Sequence, residues 1–545
     1  MNNPNNSNPG MQKRMLLMTV IVFAMFLAYE FLVLRPQEEQ RLKEQQTIEK
    51  YEKLAAQDNA LVTAAGDNSA PSTASAPQTS GMDVPSDKSL APKSILATIK
   101  TAKSLIEIDK LGRIAQVTLL EEQYVDEDNN QIKLFDVAQL RPLEVRFSNR
   151  NVNDEAFKVQ VVASAANVDA TKSAQKLVLT QKLSETTLIK TLTVYPDGHY
   201  DVDITTTNAQ NFFVTSGFRP NVLVDMYADH GVIVKLNDGT TQIISDEDLD
   251  KTETYNNVQF TSAFDRYYAT VLYNFTKPLT LSMMPDKDSN PQAFIHGSDK
   301  ISLSGYMGPK EFNSLNALNP ELTDVIEYGF FTFLAKPMFT FLLFLHTYVG
   351  NWGWTIVVLT LIIKAALYPL SYKGMVSMQK LKDLSPKVKE IQAKYKGDKQ
   401  KASMHMMELY KKHGANPMGG CLPIVLQIPV FFAIYRVLLN SIELKGAEWI
   451  LWIDDLALMD PYFVLPVLMG ATMFLQQKIT PNTMQDEMQK KIFQFLPIIF
   501  TFFFLWFPAG LTLYWFINNV FTVSQQYYIN RLFDKRREEK NVLEK

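Results

Sequence analysis

The sequence predicts a polytopic α-helical membrane protein with six spans, five of them forming a carboxy-terminal core, and one large all-β domain outside the bilayer. Three observations predict it. Five long apolar runs crowd the carboxy-terminal third; another apolar run, Met15 to Leu34, follows Lys13-Arg14; and between them apolar and polar residues alternate with period two from Ile95 to Gly308. Whole-chain averages over the 545 residues, a net charge of −3 and 46% hydrophobic residues, look soluble only because two unlike halves are averaged.

The run Met15 to Leu34 is long enough to cross a hydrocarbon core of about 30 Å at about 1.5 Å per helical residue. A cleavable signal peptide has a shorter apolar core and a small-x-small cleavage site. This run ends in Phe31-Leu32-Val33-Leu34-Arg35-Pro36 without one. Residues 1–36 are therefore expected to be an uncleaved signal anchor with a cytosolic amino terminus. Residues 37–94 are expected to continue as a short charged helix over 37–57 and a Ser-, Ala-, Pro-, Thr- and Gly-rich tether over 64–93.

Over 95–319 the pattern is that of strands. SLIEIDKLGRIAQVTLL and TLTVYPDGHYDVDITTTN each read as strand, turn and strand, with Leu111-Gly112 or Asp197-Gly198 in the turn, and Asp238-Gly239 marks a third hairpin. With no helical period between the strands, an antiparallel sandwich is expected. The acidic loop Glu121–Asp128 reads as ordinary solvation. Residues 320–350 join a polar start to an aromatic face (PELTDVIEYGFFTFLAKP), which fits an amphipathic helix lying in the membrane interface.

The core, 351–531, is expected to hold spans over Trp354–Leu370, Leu422–Leu439, Tyr462–Gln476, Ile492–Phe507 and Leu511–Tyr528, with Pro508-Ala509-Gly510 as a tight turn between the last two. Charge sets the orientation. Ser371 to Pro417 holds eleven lysines against four acids, and Glu443 to Tyr462 one lysine against five acids. Basic loops stay inside, so the first loop, a helical hairpin over 373–415, is cytosolic and the second is external. The basic tail 532–545 also falls inside, and the sandwich outside. Several spans are short enough to favour local thinning of the bilayer.

Lys364 stands out, a cation inside an apolar span, one helical turn after Thr360. A charge there costs roughly 2.5–3.5 kcal/mol on insertion scales, so it faces protein or water, or else snorkels to the headgroups. Both readings stay open at this point. The last span carries a polar stripe, Tyr514, Asn518, Thr522 and Gln525, with Asn519 and Gln526 beside it, and Gln427 adds an amide to the second core span. Each such group alone can simply glue helices together; with Thr360 and Lys364 they outnumber what packing needs, and a hydrated cavity is the joint reading. On the hairpin, Met375, Met378, Met404 and Met407, with Lys382 and Lys387, read either as internal packing or as an adaptable contact surface.

Nucleotide, hydrolase and metalloprotease motifs are absent: there is no GxxxxGK[ST], no GxGxxG after a strand, no GxSxG, no HExxH and no CxxC. The six histidines are scattered, and the single cysteine, Cys421, cannot form an internal disulfide. No enzyme activity, cofactor or metal is expected.

The stretch Asn416-Pro417-Met418-Gly419-Gly420-Cys421-Leu422-Pro423, continued by Gln427-Ile428-Pro429-Val430-Phe431-Phe432-Ala433-Ile434-Tyr435, resembles the signature of the YidC-type membrane insertases. Leu465-Pro466-Val467-Leu468-Met469-Gly470, Gln489-Lys490-Lys491, Phe504-Leu505-Trp506-Phe507-Pro508-Ala509-Gly510-Leu511 and Tyr306-Met307-Gly308-Pro309 extend the likeness to the Gram-negative form with a large periplasmic domain. The resemblance implies a β-supersandwich and five core helices around a hydrophilic groove open to the cytosol and to lipid. It implies a location in the bacterial inner membrane, both termini cytoplasmic. In the family a groove cation, usually arginine, receives polar parts of the substrate. Lys364 falls at that position, and Thr360 and Trp515 at groove positions. The lysine keeps the charge and loses the planar fork. The implied partners are nascent membrane proteins, the Sec translocon, the ribosome with signal-recognition targeting factors, and the bilayer; DNA is not among them. Arg531, Lys535, Arg536 and Arg537 suit ribosomal RNA. Two rivals remain: a secondary transporter with a midplane cationic site, and an assembly factor that only chaperones helices.

Overall fold

A computed structural model of the chain describes residues 94–126, 129–135, 139–222, 229–415, 422–480 and 487–543. The anchor, charged helix and tether expected before residue 94, and the signature residues Asn416 to Cys421, lie outside the described residues. The chain divides into two compact units. Residues 380–415 belong to one; the β domain and most of the membrane helices belong to the other.

Among the described residues, seventeen strands between Ile95 and Pro309 form a four-stranded and a thirteen-stranded sheet. The three expected hairpins are present: Ser104–Asp109 with Ile114–Leu119, Thr187–Val194 with Tyr200–Thr206, and Gly231–Leu236 with Thr241–Ser245. Gly112, Gly198 and Gly239 take φ of 69°, 90° and 89° in their turns, the left-handed region that glycine enters without a Cβ penalty. Alternation of burial is plain in Thr187–Val194, where Leu188, Lys190, Leu192 and Val194 point inward. Lys190 is admitted because its Nζ donates to the carbonyls of Gly112 (2.9 Å) and Leu143 (2.8 Å), and burial pulls its pKa down to about 8.

Two details depart from expectation. Ile95–Lys100 pairs in parallel with Asn167–Asp169, so the domain is not antiparallel throughout. A helix, α1 (Arg150–Ala156), interrupts the strands; Asn149 caps it by accepting from the Asn151 N–H, and seven residues are too few to print a helical period.

After the sheet come α2 (Phe312–Leu318), a 3₁₀ turn over Pro320–Val325, a second over Gly329–Phe331, and α3 (Thr332–Val349). The expected single helix over 320–350 is therefore split. Pro320 starts a tight turn that ends where Ile326 turns extended, and Gly329, at φ 65°, opens the second turn, which leads into α3. The core helices follow: α4 (Trp352–Lys394), α5 (Lys399–Lys412), α6 (Leu422–Asn440), α7 (Val464–Ile479), α8 (Glu487–Phe504) and α9 (Ala509–Leu543). Two described helical stretches are long and apolar enough to cross a membrane, Gly329–Val349 and Trp352–Lys394; Gln427–Asn440 and Gln494–Phe504 are shorter apolar helices. The turn between α8 and α9 is pinned by the loop between α6 and α7: Ala509 N–H donates to Leu458 O (2.7 Å) and Gly510 N–H to Leu456 O (2.9 Å).

α4 runs on past Leu370 without a break, and in the hairpin unit Asp398 caps α5 by accepting from Lys401 N–H (3.0 Å). Leu381, Leu384, Val388 and Ala402 are buried.

Candidate functional site

Lys364 lies on α4 and is only 6% exposed. Its Nζ donates to Thr522 Oγ1 on α9 at 2.9 Å. Thr522 donates in turn to the Asn518 carbonyl (2.8 Å), and the Asn518 side-chain oxygen accepts from Gln427 Nε2 on α6 (2.9 Å). One hydrogen-bonded line thus crosses three helices and joins four of the residues singled out from sequence. Lys364 forms no ion pair among the described residues; its hydrogen-bond partner there is a neutral hydroxyl.

The other candidates are placed differently. Thr360 is 1% exposed and its hydroxyl bonds its own helix at Ile356 O (2.7 Å). Tyr514 is buried in the core. Trp515 stands edge-on to Phe431 (4.4 Å between ring centres) and stacks beside Phe500 (5.9 Å), with its Nε1 buried and unpartnered. Asn519 Nδ2 and Gln525 Oε1 are likewise buried without a partner among the described residues. Gln526 is accounted for structurally: it donates to Asn530 Oδ1 (2.8 Å), and Asn530 donates to Ile479 O at the end of α7 (2.8 Å).

On the hairpin, Met404 and Met407 are more than half exposed, and Met375 and Met378 are partly covered. Met406 turns inward instead, its sulfur accepting from Gln392 Nε2 at 3.8 Å. Lys382 and Lys387 are exposed. In the tail, Arg531, Lys535 and Arg536 are exposed on the continuous helix α9, whereas Arg537 pairs with Asp534 (2.9 Å).

A second polar cluster, not singled out from sequence, joins the carboxy-terminal end of α6 to the β domain. Arg436 Nη1 contacts Asp229 (2.9 Å) and Glu327 (3.2 Å). Asn440 Nδ2 donates to Glu327 O (2.6 Å), and Arg266 Nε to Leu439 O (2.9 Å), satisfying a carbonyl left open at the helix end. Nearby, Glu443 accepts from the Phe312 N–H (3.0 Å) at the start of α2. Burial raises the Glu443 carboxyl to about 7 and that of Asp265 to about 6, and draws the Lys310 ammonium down to about 8. The sequence did carry a signal for this cluster: Arg436 is a charge inside an apolar run, as Lys364 is.

The comparisons with known proteins bear on the whole chain. A family model described as 60Kd inner membrane protein matches residues 344–537, and one described as YidC periplasmic domain matches 96–341. Over 538 residues the chain is 49% identical to the membrane protein insertase YidC of Campylobacter jejuni, covering 98% of this chain and 99% of that relative. This chain belongs to the YidC family. The relative from Wolinella succinogenes is 48% identical, with 97% and 96% covered, and that of Helicobacter pylori 26695 is 48% identical, with 82% and 86% covered. The two YidC-family regions meet inside α3, so one continuous helix carries the chain from the periplasmic-domain match into the membrane-core match.

Proposed function

We propose that this chain is a bacterial inner-membrane protein insertase and chaperone. It receives polar segments of nascent membrane proteins in a hydrated, cationic groove around Lys364, without ATP, alone or beside the Sec translocon. The observation that carries the reading is Lys364 itself, buried on α4 against the polar stripe of α9 with a hydroxyl rather than a carboxylate as its partner. A buried cation without a counter-charge is costly, and an incoming acidic or polar segment relieves that cost. Trp515 Nε1, Asn519 Nδ2 and Gln525 Oε1 add unpartnered polar atoms on the same helix, which water or a guest backbone would satisfy.

Desolvation opposes the passage of a polar segment across the bilayer. A groove with a cation part-way in shortens the dry path. Short helices shorten it further: α7 has 16 residues, about 24 Å at about 1.5 Å per residue, against a core of about 30 Å. Burial of the apolar part of the guest in lipid then drives the step. In this reading the chain has six spans, including the anchor over 15–34, with both termini cytosolic and the β domain periplasmic. The exposed Met404 and Met407 and the lysines of the hairpin hold guests or targeting factors, and Arg531, Lys535, Arg536 and Arg537 meet the ribosome. No reaction is catalysed and no cofactor is used.

Proteoliposomes containing only this protein test the proposal. Insertion of a small two-span protein is the expected result. Flux of a small solute without insertion would favour a secondary transporter, and neither activity would leave only a helix chaperone.

A further inference from the structure

A cavity of ≈ 330 Å³ lies where the β domain, α2, α3, the start of α4 and the loop after α6 meet, all within one compact unit. That volume falls in the size class of small-ligand sites. Its lining is chemically mixed. Glu311, Glu443 and Lys445 bring charge to it, and Leu343, Phe344 and Trp352 bring apolar surface.

The two carboxylates sit close enough to repel, and Glu311 is one reason that the Glu443 carboxyl is hard to ionise. Glu443 lies deep among protein atoms yet faces the cavity. Its structural duty, accepting the Phe312 N–H at 3.0 Å, uses one oxygen. Glu311 accepts from Ser314 Oγ at 2.5 Å and forms a loose ion pair with Lys103 at 3.8 Å. Lys445 forms no ion pair among the described residues, and the carboxylate that feels its charge is Asp455. From Phe344, 52% exposed, the apolar wall continues outward along α3 through Phe341 and Tyr348, whose rings lie 6.1 Å and 5.1 Å from that of Phe344.

The geometry points to a phospholipid with a primary-ammonium headgroup as the occupant of this cavity. Its ammonium sits against Glu311 and Glu443, its phosphate toward Lys445, and its acyl chains run over Phe344 and Phe341. An ammonium between two carboxylates relieves their repulsion, and the nearby cation suits a zwitterion better than a bare amine. A trimethylated choline head can donate no hydrogen bond to either carboxylate, and a glycerol head brings no positive charge. The α3–α4 junction carries the aromatic side chains of a membrane interface, Tyr348, Trp352 and Trp354, where such a head would lie.

The inference rests on the membrane placement given under Proposed function, but not on insertion activity, so the two can fail separately. The test is lipid retention by the purified full chain, delipidated in detergent, then offered phosphatidylethanolamine, phosphatidylcholine or phosphatidylglycerol of matched chains and read by native mass spectrometry. The ethanolamine lipid is expected to be retained about tenfold better, the worth of one charge-assisted hydrogen bond. Glu311→Gln combined with Glu443→Gln keeps an oxygen acceptor for the Ser314 hydroxyl and the Phe312 N–H and is expected to abolish the preference. Thr347→Trp, which fills the cavity from α3 without touching a charge, is expected to lower retention of the ethanolamine lipid. Equal retention of the three lipids by the wild type would overturn the proposal, as would a preference that survives the double substitution. Displacement of the lipid by equimolar soluble phosphoethanolamine would overturn the lipid as source.

Discussion

Replacing Lys364 by leucine separates a cation that works from one that is merely tolerated. Removing the charge should not unfold the protein: Thr522 keeps its bond to the Asn518 carbonyl, Asn518 keeps Gln427, and leucine is cheaper than lysine in a membrane interior. The loss should fall on the guest. A carboxylate about 4 Å from Nζ interacts by about 4 kcal/mol at an effective dielectric of about 20, against about 1 kcal/mol in water. The hydrogen-bonded contact it replaces in solvent leaves roughly 1.5–3 kcal/mol net. At about 1.4 kcal/mol per factor of ten, insertion of a guest with an acidic translocated tail should slow about ten- to hundredfold in Lys364→Leu, and a neutral tail far less. Lys364→Arg should restore the rate, since charge and position are retained, and Lys364→Glu should be worst. The assay is insertion into proteoliposomes of one test protein carrying zero, one or two acidic residues in its translocated tail, at matched protein content. Equal rates for wild type and Lys364→Leu across that series would refute the reasoning, and would leave the lysine as a passenger in a family member that inserts by other means.

Three further outcomes are expected. Glu443 is raised from an ordinary 4.5 to about 7, so the folded state holds a proton that the unfolded state has lost between those values. Its contribution to stability therefore declines as pH rises from about 4.5 to about 7, by roughly 3 kcal/mol at most at about 1.4 kcal/mol per unit. Melting of the delipidated protein between pH 5 and 7.5 should flatten in Glu443→Gln, and parallel pH profiles would count against the assignment. Met404→Ser with Met407→Ser removes exposed apolar surface without touching the buried Leu381, Leu384 and Val388, so crosslinking of nascent chains to the hairpin should fall while the protein level stays constant; unchanged crosslinking means the methionines contact nothing. Arg531→Gln, Lys535→Gln and Arg536→Gln should weaken ribosome binding and lower the slope of log affinity against log salt by roughly two to three, about 0.7–0.9 per phosphate contact; an unchanged slope places the contact elsewhere.

The membrane helices were legible because apolar runs and charged loops carry strong one-dimensional signals. Their ends were not. Lys373 to Lys394 continues α4 because lysine, glutamine, leucine and methionine form helices as readily in water as apolar residues do in lipid, so hydropathy marks the membrane surface and not the helix end. The hairpins of the β domain were legible where a glycine sits in the turn. The parallel pairing of Ile95–Lys100 with Asn167–Asp169 was not, since nothing local specifies a partner that far along the chain. At the site, the stripe on α9 followed from i, i+4 spacing. That Lys364 reaches Thr522, while the hydroxyl of Thr360 one turn away bonds its own backbone, is decided by which helices face each other, and period alone is silent on that.

Two described cations in the apolar core runs, Lys364 and Arg436, obey the same cost of burial and resolve it in opposite ways. Arg436 meets Asp229 from the β domain and Glu327 from the segment before α3. Its charge is matched by two carboxylates on one nitrogen, Nη1, and with Arg266 on the Leu439 carbonyl it fastens the β domain to the end of α6. Removing the β domain would take away Asp229 and Arg266 but leave Glu327, so Arg436 would keep one carboxylate, and water would reach the freed carbonyl. A cation so well compensated has little charge left to offer a guest. Lys364 has only a hydroxyl. Its desolvation is unrelieved within the described chain, and the cheapest relief is a negative or strongly polar group brought from outside. The difference in partner, rather than the presence of charge, is what makes one residue a clasp and the other a binding site.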